Sequence, residues 1–129
     1  MKRLATLLGR ILISVPFLVF GVMKLENFHA SAGQLAALKI PMATAAAAIA
    51  IIIELLGGVC VVLGFKARFW GWVLFLYLIP VTFLAHNFWA YSGAARMENE
   101  GNFLKNLAIM GGLLLLAAFG PGPMSVDKG

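Results

Sequence analysis

Long apolar runs separated by short polar segments dominate this sequence and determine its predicted architecture. Four of these runs reach the roughly 17–25 residues that an α-helix needs to cross the hydrocarbon core of a bilayer. They extend from Leu4 to Met23, from Met42 to Leu63, from Phe69 to Tyr91 and from Phe103 to Phe119. Because backbone polar groups have no water to bond in lipid, helices are the expected form. The pattern predicts one all-α domain over residues 1–129, an integral membrane protein built as an antiparallel four-helix bundle.

The polar segments between these runs predict how the spans are connected. Lys24 to Pro41 contains a polar and apolar repeat that predicts a short interfacial helix beginning at Ser31. Gly64 to Arg68 is short enough to make the second and third spans antiparallel neighbours. Ser92 to Asn102 is polar and is predicted to be the most mobile segment. The glycine and proline pattern that begins at Gly120 is expected to end the fourth span.

Composition agrees with a membrane protein. Of the 129 residues, 62% are apolar and 12% are charged, and the mean hydropathy is +0.96. Soluble domains are about 45–50% apolar. The N-terminal Met-Lys-Arg and the apolar run after it imitate a signal peptide. That run is too long for one and ends at Lys24 without a small-residue cleavage site, so we expect the first span to be retained.

The distribution of charge indicates membrane topology and not nucleic-acid binding. The net charge is +5, but the basic residues flank the apolar runs and form no contiguous stripe. With four spans both termini share one side, and that side carries Lys2, Arg3, Arg10, Lys66, Arg68 and Lys128. The opposite side carries Lys24, Lys39, Arg96 and Lys105. Because cytoplasmic loops are enriched in Lys and Arg, both termini are predicted to be cytoplasmic.

A carboxylate in the middle of the second span is the sharpest candidate for function. A charge at the bilayer centre costs roughly 2.5–3.5 kcal/mol, and Glu54 lies near the midplane by residue count. Ala47, Ala50 and Gly57 recur on its helix face, so Glu54 is predicted to face the bundle interior. Arg10, about six residues into the first span, is its predicted partner. The pair either functions directly or only fixes helix packing, and Arg10 has the further alternative of snorkelling to the lipid headgroups.

A second group of polar residues is predicted at the non-cytoplasmic end. His86 closes the third span, Lys105 and Asn106 open the fourth, and Lys24 closes the first. An imidazole beside two cations and an amide suits an anion or a quinone carbonyl, although a single histidine at an interface also occurs as a packing residue. The candidate polar site comprises Glu54, His86, Lys105, Asn106, Arg10 and Lys24.

The residues present exclude several chemistries. Cys60 is the single cysteine, so one chain cannot form a disulfide, a CxxC redox pair or a cysteine zinc site. One histidine in the predicted spans does not provide the two ligands of a bis-histidine haem. The sequence contains no phosphate-binding loop, nucleophile elbow or HExxH motif. We therefore predict no metal site and no nucleic-acid partner, and the motifs leave open whether the protein is an enzyme.

Motifs along nearly the whole chain resemble the DoxX family of small bacterial membrane proteins. In order they are RILISVPFLVFGVMKLENF, IIIELLGG, LGFKARFWG, AHNFW, and FLKNLAIMGGLLLL with a closing GPGPMSVD. The resemblance rests on Arg10, Gly21, Lys24, Glu54, Gly57, Gly58, Gly64, Arg68, His86, Lys105 and Asn106. It implies a four-helix protein of the bacterial inner membrane. For some family members it also implies a role as a small subunit of quinone-linked oxidoreductases, such as thiosulfate-oxidising complexes.

Three hypotheses of function follow. The first is a membrane subunit of a quinone-linked oxidoreductase or redox-protective system, which anchors redox partner proteins and contributes a quinone or proton site from Glu54, His86 and Lys105. The second is a non-catalytic membrane scaffold whose buried charges only specify packing. The third is a small carrier or proton pathway, which requires a homo-oligomer because four helices barely enclose a pore. Membrane lipids are expected contacts in all three, and quinone is the one cofactor considered.

Overall fold

The computed structural model describes residues 2–127, and its regular elements are helices. They are α1 Lys2–Glu26, α2 Phe28–Ala37, α3 Ala43–Leu63, α4 Ala67–Ala85, the 3₁₀ turn Phe88–Ala90 and α5 Gly93–Phe119. No strand occurs within residues 2–127. Four helices, namely α1, α3, α5 and α4 with the 3₁₀ turn, are long and apolar enough to cross a membrane. The predicted all-α architecture with four spans is confirmed.

The four spanning helices close into a ring. α1 packs against α3, α3 against α4 and α4 against α5, and a smaller contact between α5 and α1 completes the circuit. The predicted neighbouring of the second and third spans is confirmed by the α3 and α4 contact. We call the end of the bundle that holds α2 the α2 end, and the end that holds residues 120–127 the tail end. The first turns of α1 also lie at the tail end, where Thr6 is next to Gly122 and Arg10 donates to Met124. The cytoplasmic location of this end stays a prediction.

Glycines let α1 and α3 approach closely where Glu54 is buried. A β-carbon on Gly21 would lie 2.7 Å from the Leu55 side chain and 3.3 Å from the β-carbon of Glu54. A β-carbon on Gly58 would lie 2.8 Å from Leu18. Small residues at helix interfaces are what allows such approach in membranes. Glu54 is 4% exposed, which confirms that it faces the bundle interior.

Two predicted boundaries are wrong. The predicted fourth span begins at Phe103 after a polar loop, but α5 begins at Gly93 and continues through that segment. Its residues are polar and still compatible with a helix, and Arg96 and Glu100 form an i,i+4 ion pair at 3.9 Å. The interfacial helix exists, but α2 begins at Phe28 and not at Ser31. Hydropathy locates the membrane-embedded part of a helix and not its aqueous extension.

The segment after α5 folds back onto the turn between α3 and α4. Gly120, with φ of 86°, ends α5 as predicted. The Val126 amide donates to the Leu63 carbonyl at 2.9 Å, and the Asp127 amide donates to the Gly64 carbonyl at 3.1 Å. Lys128, which contributes to the predicted charge asymmetry, lies outside the described residues.

Candidate functional site

Arg10 is buried at the tail end and binds backbone carbonyls. It is 3% exposed, and its Nη1 donates to the Val62 carbonyl at 2.9 Å and to the Val61 carbonyl at 3.5 Å. Its Nη2 donates to the Met124 carbonyl. The last carbonyls of a helix have no intrahelical partner, and basic side chains satisfy them. Arg10 therefore joins α1, the end of α3 and the tail.

The predicted pair of Arg10 with Glu54 is wrong. The carbonyls that Arg10 binds begin seven residues after Glu54, which is ~10 Å further along α3. Arg10 extends towards the tail end, where unpaired carbonyls are available, and not towards the midplane. The alternative of snorkelling to the headgroups does not describe Arg10 either, because the residue is buried and hydrogen-bonded to backbone carbonyls.

Lys24 is the ion-pair partner of Glu54. Its Nζ donates to Oε2 of Glu54, and the Tyr77 hydroxyl donates to the same oxygen at 2.5 Å. Lys24 belongs to α1, Glu54 to α3 and Tyr77 to α4, so one carboxylate connects three spanning helices. Its second oxygen, Oε1, is buried and has no hydrogen-bond partner among residues 2–127. The carboxylate is thus compensated at one oxygen only.

A cavity of about 550 Å³ at the α2 end brings most of the candidate polar residues together. Its lining includes five of the six predicted site residues, namely Lys24, Glu54, His86, Lys105 and Asn106. Phe17, Phe20, Leu78 and Ile109 contribute apolar walls. The volume falls within the roughly 300–1,000 Å³ of small-molecule sites. Arg10, the sixth predicted residue, does not line this cavity.

His86 lies immediately after α4, where the helix has ended and the backbone turns. Its Nδ1 is 3.4 Å from Oδ1 of Asn99 on α5. The Asn99 Nδ2 donates to the Ala95 carbonyl at 3.0 Å, so Oδ1 is the atom turned to His86. This geometry assigns the hydrogen of a neutral imidazole to Nδ1 and leaves Nε2 as an acceptor. His86 therefore brings a proton-accepting nitrogen to a cavity-lining position.

Two residues on α5 extend the polar lining. The Lys105 Nζ lies 4.8 Å from the centre of the Phe20 ring, and such a cation is attracted to the ring face. The Asn106 Nδ2 donates to Oγ1 of Thr82 at 3.1 Å, and both side chains are buried. Lys105 thus offers a cation that is held by an aromatic wall, and Asn106 fixes α5 against α4.

Three residues that support the predicted ones are not predicted from the sequence, namely Tyr77, Thr82 and Asn99. Tyr77 is the most informative of these, because its position offers a signal. The other aromatic residues of the third span that suit interfaces lie near its ends, as the interfacial belt requires. Tyr77 lies mid-span, and a buried tyrosine hydroxyl usually has a hydrogen-bond partner.

These features define a class: a small multi-pass membrane protein with a polar cavity inside a four-helix bundle. The DoxX family model matches residues 5–87. The chain belongs to the DoxX family. No solved structure matches it.

Relatives cover nearly the whole chain. It is 35% identical over 122 residues to the inner membrane protein YphA of Escherichia coli K12, covering 95% of this chain and 87% of that protein. It is 31% identical over 131 residues to the inner membrane protein YqjF of the same organism, covering 99% and 95%. With its four spans, this chain is a multi-pass protein of the bacterial inner membrane.

A third likeness covers a smaller part of the matched protein. The chain is 33% identical over 78 residues to the ER-derived vesicles protein ERV29 of Saccharomyces cerevisiae. The match covers 60% of this chain and 25% of the yeast protein. The shared part corresponds to a minor segment of that longer protein.

Proposed function

We propose that this chain is a membrane subunit of a quinone-linked redox system and that its cavity at the α2 end binds the quinone head group. The observation that carries the proposal is the convergence of Lys24, Glu54, His86 and Lys105 on one cavity of about 550 Å³. Four titratable groups around a pocket with apolar walls are typical of a site that handles a polar, proton-exchanging ligand. Isolated packing residues would not need to share a cavity.

The residues present fit the chemistry of a quinone head. Its oxidised form offers two carbonyl acceptors, for which the Lys105 ammonium is a donor. Its reduced form offers hydroxyl donors, for which His86 Nε2 is an acceptor. Phe17 and Phe20 give the lining flat apolar surfaces. When bound, a quinone carries electrons and protons together, and the residues of this chain would bind the head and hold a proton at Nε2.

In this proposal, the group that exchanges electrons with the quinone belongs to a partner protein. Among residues 2–127, no group of three or more His, Cys, Asp or Glu side chains is arranged to hold a metal ion. A subunit that binds quinone and lacks such a group is suited to presenting the quinone to a neighbouring oxidoreductase. The helical extension at the start of α5, with its exposed Arg96 and Glu100, is one aqueous surface available for such a partner.

A binding measurement tests the site directly. The purified protein in lipid nanodiscs is titrated with a short-chain benzoquinone, and quenching of tryptophan fluorescence reports binding. We expect saturable binding that Lys105→Ala weakens about tenfold or more, because a hydrogen bond to a charged group contributes roughly 1.5–3 kcal/mol. His86→Ala should weaken it about fivefold, because a neutral hydrogen bond contributes roughly 0.5–1.5 kcal/mol. His29→Ala and Lys39→Ala are matched controls, since both residues are exposed and neither lines the cavity.

The same measurement separates the proposal from the scaffold alternative. A scaffold is favoured by one observation, the network of Lys24, Glu54 and Tyr77 that joins three helices. If the wild-type protein binds no quinone, or if His86→Ala and Lys105→Ala bind as the controls do, the quinone site is refuted. Variants in the network would then lower thermal stability alone.

A further inference from the structure

A second cavity of about 270 Å³ adjoins the first beneath α2. The two share part of their lining, namely Lys24, Ser31, Gln34, Val81 and Ala85. We propose that they are two compartments of one site for an amphipathic ligand. In this proposal, which rests on the proposed function, the first compartment is the head cavity and takes the quinone ring. The second is the chain cavity and takes the apolar chain attached to that ring.

The two compartments differ in chemistry as such a ligand requires. Every polar side chain of the chain cavity apart from Tyr77 also lines the head cavity. The Tyr77 hydroxyl already donates to Glu54. The residues that line the chain cavity alone are otherwise apolar, and they are Leu35, Leu38, Ile40, Ala46, Ala47, Ala50, Pro80 and Leu84. His86 and Lys105, the residues that suit a ring with two oxygens, line the head cavity and not the chain cavity.

A run of alanines creates the chain cavity. Ala46, Ala47 and Ala50 lie on one face of α3, at helical spacings of three and four. Pro80 and Leu84 face them from α4. Short side chains at these positions leave a volume that leucines would occupy, and an unfilled apolar space would lose packing contacts. A hydrocarbon chain restores those contacts without requiring any hydrogen bond.

Size and position favour a chain over a complete ligand. About 270 Å³ is below the roughly 300–1,000 Å³ of sites that hold whole small molecules. Two residues of its lining also face outward, since Leu38 is 39% exposed and Leu84 is 48% exposed. The chain cavity therefore borders the lipid-facing surface. A ligand dissolved in the bilayer can enter there with its chain still in an apolar environment.

The lipid surroundings limit the strength that the chain can add. A hydrocarbon chain in the bilayer is already out of water, so moving it into the protein brings close packing and little hydrophobic gain. We therefore expect the whole chain to strengthen binding about tenfold. Transfer from water would provide roughly fourfold for each CH₂, which multiplies to a far larger factor over a chain of several carbons.

Two ligands and one substitution test this inference in nanodiscs, with ligand concentration expressed per lipid. One ligand is a benzoquinone with a ten-carbon chain, and the other is the same ring without the chain. Wild type should prefer the chain-bearing quinone about tenfold. Ala50→Leu should abolish that preference and leave affinity for the chainless ring within twofold. Ala45→Leu is the matched control, because Ala45 lies on the same helix, is exposed and lines neither cavity.

The outcomes distinguish the inference from the proposed function. If wild type binds both quinones equally, as it would if a lipid acyl chain occupied the chain cavity, the inference is overturned while the head site stands. An unchanged preference in folded Ala50→Leu also overturns it. Ala46→Leu repeats the test if Ala50→Leu does not fold. If neither quinone binds the wild-type protein, the proposed function fails together with the inference.

Discussion

Arg10 and Glu54 are both charged side chains buried in the membrane, and the fold accommodates them in opposite ways. Arg10 is enclosed at the tail end, where its guanidinium donates to three carbonyls. Glu54 lies mid-helix, accepts from Lys24 and Tyr77, and borders a cavity that other titratable groups share. Arg10 completes a helix end that would otherwise carry unpaired carbonyls. Glu54 instead takes its partners from the side chains of two neighbouring helices.

Burial of a charge in a membrane protein is therefore not by itself a sign of function. The environment decides the role. A charge whose hydrogen bonds all go to backbone groups acts as part of the scaffold, whereas a charge beside a cavity and other titratable groups is placed to meet a ligand. Substitution of each should therefore affect a different measurement.

Arg10→Ala should have the largest effect, and that effect should be on stability. The substitution leaves the carbonyls of Val62 and Met124 without their donor, while the Val61 carbonyl keeps the Gly64 amide. Each buried group left unpaired costs roughly 1–3 kcal/mol. We expect the free energy of unfolding to fall by about 3 kcal/mol. Thermal unfolding in detergent, followed by far-UV circular dichroism, measures the loss.

Arg3→Ala is the control for Arg10, since Arg3 lies on the same helix and is exposed. It should change stability by less than about 0.5 kcal/mol. The quinone affinity of the folded fraction of Arg10→Ala should equal that of wild type. Equal stabilities of the two variants would show that the carbonyl contacts of Arg10 do not hold the tail end together.

Glu54→Gln should give the opposite pattern, with the larger effect on ligand binding. Glutamine keeps the shape of the side chain but removes the charge, which leaves Lys24 without its counter-ion. The Lys24 side chain is 35% exposed, so solvent offsets part of that loss and stability should fall by only about 1–2 kcal/mol. We expect quinone affinity to fall about tenfold in the nanodisc titration.

Glu98→Gln provides the matched control for Glu54→Gln, because Glu98 is an exposed glutamate. It should leave stability and quinone affinity unchanged. Combining Glu54→Gln with Lys24→Met should cost less than the sum of the single changes, since the two residues act as a pair. Strict additivity, or a stability loss in Glu54→Gln as large as that in Arg10→Ala, would remove the distinction between the two buried charges.

The four-span architecture and the residues that line the head cavity could be predicted from the sequence. Both depend on how deep each residue lies in the membrane. Apolar run lengths identify the spans, and counting residues places His86, Lys105, Asn106 and Lys24 at one end. The partner of Glu54 depends instead on how the helices are offset along their axes. A β-carbon on Gly21 would be 3.3 Å from that of Glu54, so Lys24 lies only one turn from Glu54. Counting residues within each span does not give this offset.

Rotation about the helix axis is the second quantity that residue counting does not provide. Tyr77 lies mid-span among apolar residues, and only the packing of α4 on α3 turns its hydroxyl towards Glu54. Arg10 could be placed about six residues into its span, but the direction of its long side chain depends on the unpaired carbonyls of α3. Those carbonyls and the returning tail exist only in the folded bundle.

Tyr77→Phe should have the smallest effect of the three substitutions. It tests whether the Tyr77 hydroxyl only supports Glu54 or also contacts the ligand. It removes one of the two donors to Oε2 of Glu54 and keeps the ring, so the free energy of unfolding should fall by about 1 kcal/mol. Lys24 still compensates the carboxylate, and quinone affinity should therefore fall no more than about threefold. Tyr91→Phe is the control, because Tyr91 is 45% exposed. If Tyr77→Phe weakened quinone binding as strongly as Glu54→Gln, the tyrosine hydroxyl would be part of the ligand contact, and the polar network would extend the head cavity into the chain cavity.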